Sequence, residues 1–221
     1  MDWLEQLKSE MLEISKTTAY EYFPAIGAYT EPYYNLRFEH TKQVEAEAMK
    51  LLKVYGGDAD IVLASVWIHD RCKPQFGWFD HGSKAADWTL ENLESKGFPQ
   101  EKIKAVEYAV RNHCGYDKRP LDTLEAQILW DADKLSHRGP GYLFQTFFVF
   151  TSEKICNNDK TAGVKFEPTI ALENVMPALL QMKTEIDYDA PNPYHLEESR
   201  KISIEKIKAV NAFLETLERQ L

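Results

Sequence analysis

Three cysteines in 221 residues, no two of them in a CxxC pair, leave this chain without a disulfide framework or a thiolate zinc ribbon. Cys72, Cys114 and Cys156 are odd in number and far apart, which points to a reducing compartment. No apolar run approaches the ~20 residues of a membrane-spanning helix. The N-terminus, MDWLEQLKSEM, lacks the charged-then-apolar pattern of a signal peptide, so the expectation is a soluble, cytoplasmic protein with no membrane partner. Positive charge is also short: 26 Lys and Arg against 35 Asp and Glu give a net charge of −9. That balance argues against a nucleic-acid backbone as partner, because binding one needs a basic face. It permits a small phosphorylated substrate, which needs only a local group of cations. Internal repeats, low-complexity tracts and convincing strand pairs are missing too, and homo-oligomerisation is left open.

What is present is helical periodicity almost throughout. Trp3, Leu7, Met11 and Ile14 mark an amphipathic helix up to about Tyr22, followed by the aromatic connector FPAIGAYTEPYYN. Leu36, His40, Val44, Ala48 and Leu51 mark a second helix, stopped by Gly56 and Gly57. Ile61 to Ile68 is apolar apart from Ser65, as in a helix at the middle of a bundle, and it ends in His69 and Asp70. Pro74, Gly77 and three aromatics predict a loop over Arg71–Gly82, then a helix over Ser83–Lys96 that buries Ala86, Leu90 and Leu93. Pro99 opens a helix with Ile103, Val106, Val110 and His113 on one face. Asp122 and Glu125 have the spacing of a capping box for the next helix, through Leu124, Ile128 and Leu135 to Arg138-Gly139-Pro140. YLFQTFFVF, apolar on every face, predicts a buried helix, and Thr169–Met182 a helix broken at Pro177. A last stripe runs Ile204, Ile207, Val210, Leu214, Leu217. The expected fold is all-α, a single-domain helical bundle. Its parts are an N-terminal helix and connector (1–35), a core (36–153) and C-terminal helices completing the same domain (154–221).

Several polar residues stand where that bundle should be apolar. His40 lies on the stripe of its helix, His69 and Asp70 end the buried helix, and His113 ends an apolar face. Asp131 and Asp133 sit in LWDADKL, about 200° apart around their helix, so only one can share a site with the others. Each alone has a bland explanation, a carbonyl-bonded core histidine or a salt bridge. Together they would require four helices to bury polar groups for unrelated reasons. Imidazole with carboxylate and no thiolate suits Mn, Fe, Co, Ni or Zn rather than Ca, in an open catalytic site.

His40 in FEHTKQV, the pair His69-Asp70 after an apolar helix, and Asp133 in ADKL resemble the H…HD…D signature of the HD-domain metal-dependent phosphohydrolases. His81 in FDHGSKAA and His113 in RNHCG resemble the subset with two further histidines, and the resemblance runs from about Arg37 to Phe148. It implies a bundle of HD-domain type and a divalent ion (Mn, Fe, Co, Ni, Zn or Mg) held by His40, His69, Asp70 and Asp133. Asp131 is then a neighbour. It implies hydrolysis of a phosphate ester or anhydride of a small molecule, nucleotides first, by metal-activated water. Members often read HDIGK; here Arg71 and Cys72 precede Lys73, with Cys72 in place of the glycine. Lys73, His81 and His113 are the catalytic candidates, the histidines as phosphate binders, proton donors or holders of a second ion. Arg71, Lys84 and Arg111 are the substrate-binding candidates, with Lys118 and Arg119 also nearby in sequence. His137, one turn after Asp133, either touches the site or lies at the surface, and His195 is expected at the surface. The same scaffold also serves di-iron oxygenases resembling myo-inositol oxygenase, and non-catalytic regulatory modules.

Overall fold

Asp58 explains where the central helix starts. Its backbone is extended, and its carboxylate accepts hydrogen bonds from the amides of Asp60 and Ile61, donors with no partner inside a helix. From there α3 (Ala59–Ile68) runs to the His-Asp pair with Ile61, Val62 and Ala64 to Ile68 buried. Ser65, the polar exception, donates its hydroxyl to the Ile61 carbonyl at 2.7 Å and so needs no water. The computed structural model describes residues 2–22, 35–115, 117–146, 179–180, 183–184, 187–189 and 191–219. Around α3 pack α1 (Trp3–Tyr22), α2 (Leu36–Tyr55), α5 (Ile103–Asn112) and α6 (Leu124–Ser136). α4 (Lys73–Asn92) lies against α5 and α1, and α7 (Glu197–Glu218) against α6. The protein is a single all-α domain, with no strand among the described residues. Among those residues no helix is long and apolar enough to cross a membrane.

Trp67 and Trp130 are the largest buried side chains, and each indole N–H finds an acceptor, Glu45 for Trp67 and the Pro193 carbonyl for Trp130. α2 is started by Asn35, whose side chain accepts from the Phe38 amide, and it presents His40, Val44, Ala48 and Leu51 to the core.

The structure corrects four sequence expectations. Residues 71–82 are not a loop: a turn over 69–72 leads straight into α4, because a proline in the first helical turn loses no hydrogen bond that the helix would have made. Leu90 of α4 is 41% exposed; Ala85, Ala86, Thr89 and Leu93 form the buried face instead. Thr123, not Asp122, caps α6, its hydroxyl accepting from the Ala126 amide. Glu125 then reaches across to accept from the Asp58 amide, joining the starts of α3 and α6. Finally, of the apolar stretch after Tyr142, Leu143 is buried but Phe144 is 58% exposed. Gln145 is buried, and residues 147–150 of that stretch and most of the helix expected over 169–182 lie outside the described residues.

Candidate metal centre

Two of the site histidines arise from one local device. A helix leaves its last carbonyls without amide partners. His69, the residue closing α3, turns its Nδ1–H onto the Val66 carbonyl at 2.6 Å, and His113, closing α5, does the same to Val110 at 2.6 Å. Each ring therefore directs Nε2 away from its own helix and into the space between helices. His40 is fixed differently. The Ser136 hydroxyl donates to the Asp133 carbonyl at 2.6 Å, which leaves its oxygen to accept from His40 Nδ1, 3.2 Å away. His40 and His69 thus carry inward-facing Nε2 lone pairs when neutral, and their acceptors set those tautomers.

These lone pairs meet at ligand spacing. His40 Nε2 lies 3.3 Å from His69 Nε2 and 3.3 Å from Asp133 Oδ1. Two ligands bound at ~2.1 Å to one ion stand roughly 3.0–3.4 Å apart for bond angles from square to tetrahedral. Asp70 completes the group, with Oδ2 3.7 Å from His40 Nε2 and Oδ1 3.8 Å from His69 Nε2. The donor set is imidazole and carboxylate, which fits a divalent transition metal, and His40, His69, Asp70 and Asp133 are the residues that would hold it. All four are buried, His69 completely.

Asp70 is the hub. Its Oδ1 also faces His81 Nε2 at 3.2 Å and His113 Nε2 at 3.8 Å, while Oδ2 accepts from Arg37 at 2.9 Å and from Lys73 at 3.0 Å. Burial opposes its ionisation, but His69, Lys73 and the hydrogen bonds of His113 and His81 hold the carboxyl well below the usual range. Asp133 is also held low against burial, chiefly by Lys134, which donates to Oδ2 at 2.7 Å and to the His113 carbonyl at 3.0 Å. Lys134 thereby ties α6 to the end of α5 and leaves Oδ1 for the site. Burial pushes His69 down to about 3, so the ring stays a neutral ligand. His113 goes the other way: burial is outweighed by hydrogen bonds to Asp70 and Cys114, raising it to about 9. A proton and a metal ion compete for its Nε2.

The sequence candidates divide into two groups. His40, His69, Asp70, His81, His113 and Asp133 converge, and Lys73 joins them through Asp70. Cys72, at the glycine position of the motif the sequence resembles, has φ −92° and ψ −4°, so its backbone does not require glycine. Arg71, Lys84 and Arg111 are not brought in. Arg71 pairs with Glu10 at 3.3 Å and stacks on Trp88 at 3.4 Å from the ring centre, a structural post between α1 and α4. Arg111 is occupied by Asp87 and Ser83 of α4 and by Glu107 of its own helix, and Lys84 is exposed on α4. The Lys118 ammonium donates to the Tyr194 carbonyl and Arg119 to that of Asn112, so both brace loops. His137 is at the site, stacked on His40 with ring centres 4.9 Å apart. His195 is half-buried against Trp130 rather than at the surface. Asp131 turns to the opposite side of α6. Its two oxygens accept from the His195 and Leu196 amides, each at 2.8 Å, at the start of α7, whose N-cap residue Leu196 makes no side-chain cap.

Arg37 and Lys134 are participants that the sequence reading passed over. Arg37 stands three residues before His40, the spacing that places two side chains on one helix face, and that was the available signal. Beside His137 opens a cavity of about 220 Å³, lined by Arg138, Tyr142, Thr146, Ile207 and Asn211 among others.

The HD domain family model matches residues 37–138. No curated protein matches the sequence. A solved structure described as a predicted HD superfamily hydrolase, from an uncultured Thermotogales bacterium, is similar with a TM-score of 0.60 at 18% identity, over 99% of this chain and 93% of that one. Bacillus subtilis YpgQ, solved in complex with ADP, gives 0.58 at 14% identity over 99% and 97% of the two chains. An HD-superfamily hydrolase from Bacillus thuringiensis gives 0.55 at 17% identity, again over 99% and 97%. At such identities the likeness is one of fold. The matched segment holds every residue that converges on Asp70, from Arg37 to Lys134, and it is this segment, residues 37–138, that matches the HD domain.

Proposed function

We propose that this protein is a metal-dependent phosphohydrolase that cleaves a phosphate ester or anhydride of a small molecule, with nucleotides the first substrate class to test. The observation that carries the reading is the surroundings of Asp70. One oxygen faces histidines and the other holds two cations, Arg37 and Lys73. A bound divalent ion would supply an activated water and polarise a phosphoryl oxygen. The protein's own part is to hold that chemistry in place. Lys134 and Ser136 orient Asp133 and His40, the Val66 carbonyl orients His69, and Asp70 keeps two positive charges beside the centre for phosphoryl oxygens. With no ion on their Nε2 atoms, which stand 3.2 Å apart, His81 and His113 are placed to pass a proton to the leaving group. The cavity beside His137 would take part of that leaving group. The ADP in the YpgQ structure supports beginning with nucleotides.

A dinuclear oxygenase is the second reading, favoured by the same His81–His113 pair beside Asp70. The deciding experiment is elemental analysis of the purified protein with a phosphate-release screen over nucleotides, sugar phosphates and an aryl phosphate. Phosphate release that depends on added divalent metal is the expected result. Two irons with oxygen consumption and no phosphate release would replace it with the oxygenase. Absence of bound metal, with no stabilisation by added Mn²⁺, would indicate a regulatory module.

A further inference from the structure

His81, His113 and Cys114 form a second convergent group that the four ligands of the first ion do not use. Cys114 Sγ lies 3.3 Å from His81 Nε2 and 3.6 Å from His113 Nε2, and the two ring nitrogens are 3.2 Å apart. One ligand atom from each of the three residues lies within 4.8 Å of the others, and both histidines are buried. Asp70 Oδ1 borders the same space, 3.2 Å from His81 Nε2.

The backbone opposite is shaped to admit the sulfur. A Cβ added at Gly82 of α4 would stand 2.4 Å from Cys114 Sγ and 3.2 Å from His113 Cε1. Gly82 is helical without a positive φ, so its backbone does not call for glycine; the space does. A glycine inside a helix costs about 0.5–1 kcal/mol relative to alanine. Here it lets the thiol reach the two imidazoles instead of being pushed off them.

We propose that Cys114 is a thiolate ligand of a second metal position, built with His81 and His113 and bordered by Asp70 next to the first ion. Its soft donor biases that position towards Zn, Co or Fe(II) and away from Mg and Mn. On binding, the S–H bond breaks, a metal–sulfur bond forms and the proton leaves to the buffer, with no change of oxidation state. The proposal rests on the metal-centre reading and not on the reaction assigned to it.

The test is titration of the metal-free full-length protein with Co²⁺, followed by absorption and by metal stoichiometry. Wild type should bind two equivalents, one of which develops the near-ultraviolet charge-transfer band of a cobalt–thiolate bond. Cys114→Ser should keep one equivalent, lose the band and bind the other roughly a hundredfold more weakly or worse. Gly82→Ala should weaken the band by displacing the sulfur, and Asp133→Asn should lose the bandless equivalent while keeping the band. Zn²⁺ should bleach the band, whereas excess Mg²⁺ should not. Cobalt binding without a thiolate band overturns the Cys114 assignment and leaves the first ion's site standing. A band that survives Cys114→Ser also overturns it, placing the thiolate elsewhere. Bleaching by Mg²⁺ as readily as by Zn²⁺ removes the selectivity, and no cobalt binding at all overturns the metal centre as well.

Discussion

Arg71 and Lys73 are two residues apart, both cationic and both next to the His-Asp pair, yet the structure gives them different work. Removing each in turn tests that division. In Arg71→Ala three contributions go. The guanidinium stack on Trp88, at 3.4 Å from the ring centre, contributes about 0.5–2 kcal/mol. The ion pair with Glu10 contributes under about 1 kcal/mol, because the glutamate side chain is 36% exposed. The side chain is only 10% exposed, and the methylenes beyond Cβ add about 1–1.5 kcal/mol of burial. Since the pair and the stack use the same group, a net loss of roughly 2–3 kcal/mol is the reasonable sum. For a chain of this size that lowers Tm by about 4–12 °C. Turnover of the metal-loaded variant on an aryl phosphate should stay within about twofold of wild type when assayed below its Tm. Lys73→Ala should do the reverse, keeping Tm within a few degrees and losing about 10²-fold or more in kcat/KM. The measurements are differential scanning calorimetry and steady-state phosphate release. An Arg71→Ala protein with unchanged Tm and tenfold lower kcat/KM would show that Arg71 meets substrate and that the α1–α4 post is misassigned.

Three further outcomes follow from the site. Asp133→Asn should lose the first ion, whereas Asp131→Ala should keep it and lose about 1–3 kcal/mol, because the two amides at the start of α7 lose their acceptor. Calorimetry checks that loss, and metal loss in the Asp131 variant would reverse the ligand assignment. In the metal-free protein Cys114 should alkylate with a midpoint near pH 6. Burial raises its thiol, but hydrogen bonds and charge from His113 and His81 outweigh that and bring it to about 6. Cys72, whose thiol burial raises, should stay unreactive at pH 7, and His113→Ala should move the Cys114 midpoint upward, with peptide mapping after iodoacetamide as the check. Chelation should lower Tm, and adding metal to a thousandfold over Kd should restore about 4 kcal/mol, or roughly 8–16 °C. Asp70→Ala should show no such response, and a full response there would remove Asp70 from the site.

How much of this was legible in sequence depends on the range of the interaction. The α3 run, the stripe His40-Val44-Ala48-Leu51 and the Gly56 stop are local patterns, and helices form there as the periodicity requires. The stretch 71–82 misled because Pro74 and Gly77 are loop signals in isolation, whereas the structure uses the proline in a first helical turn. The capping box was displaced by one residue because the Thr123 hydroxyl takes the Ala126 amide and starts the helix one residue later, while Glu125 accepts from the Asp58 amide.

The kinds of residue at the centre were likewise open to reading: imidazoles and carboxylates on otherwise apolar faces stand out against a one-dimensional pattern. Their order and spacing are properties of the chain alone, and so is the near-absence of thiol and of excess positive charge. What no linear pattern contains is direction. That Arg71 folds back onto Trp88 while Lys73 and Arg37 meet at Asp70 depends on how α1, α2 and α4 lie against one another. Asp131 supports α7 and Asp133 faces His40 because α6 has partners on two sides. Cys114 meets His81 because α4 has no side chain at Gly82. Those contacts join residues 30 or more positions apart in several cases, and only packing decides which face of a helix meets which neighbour.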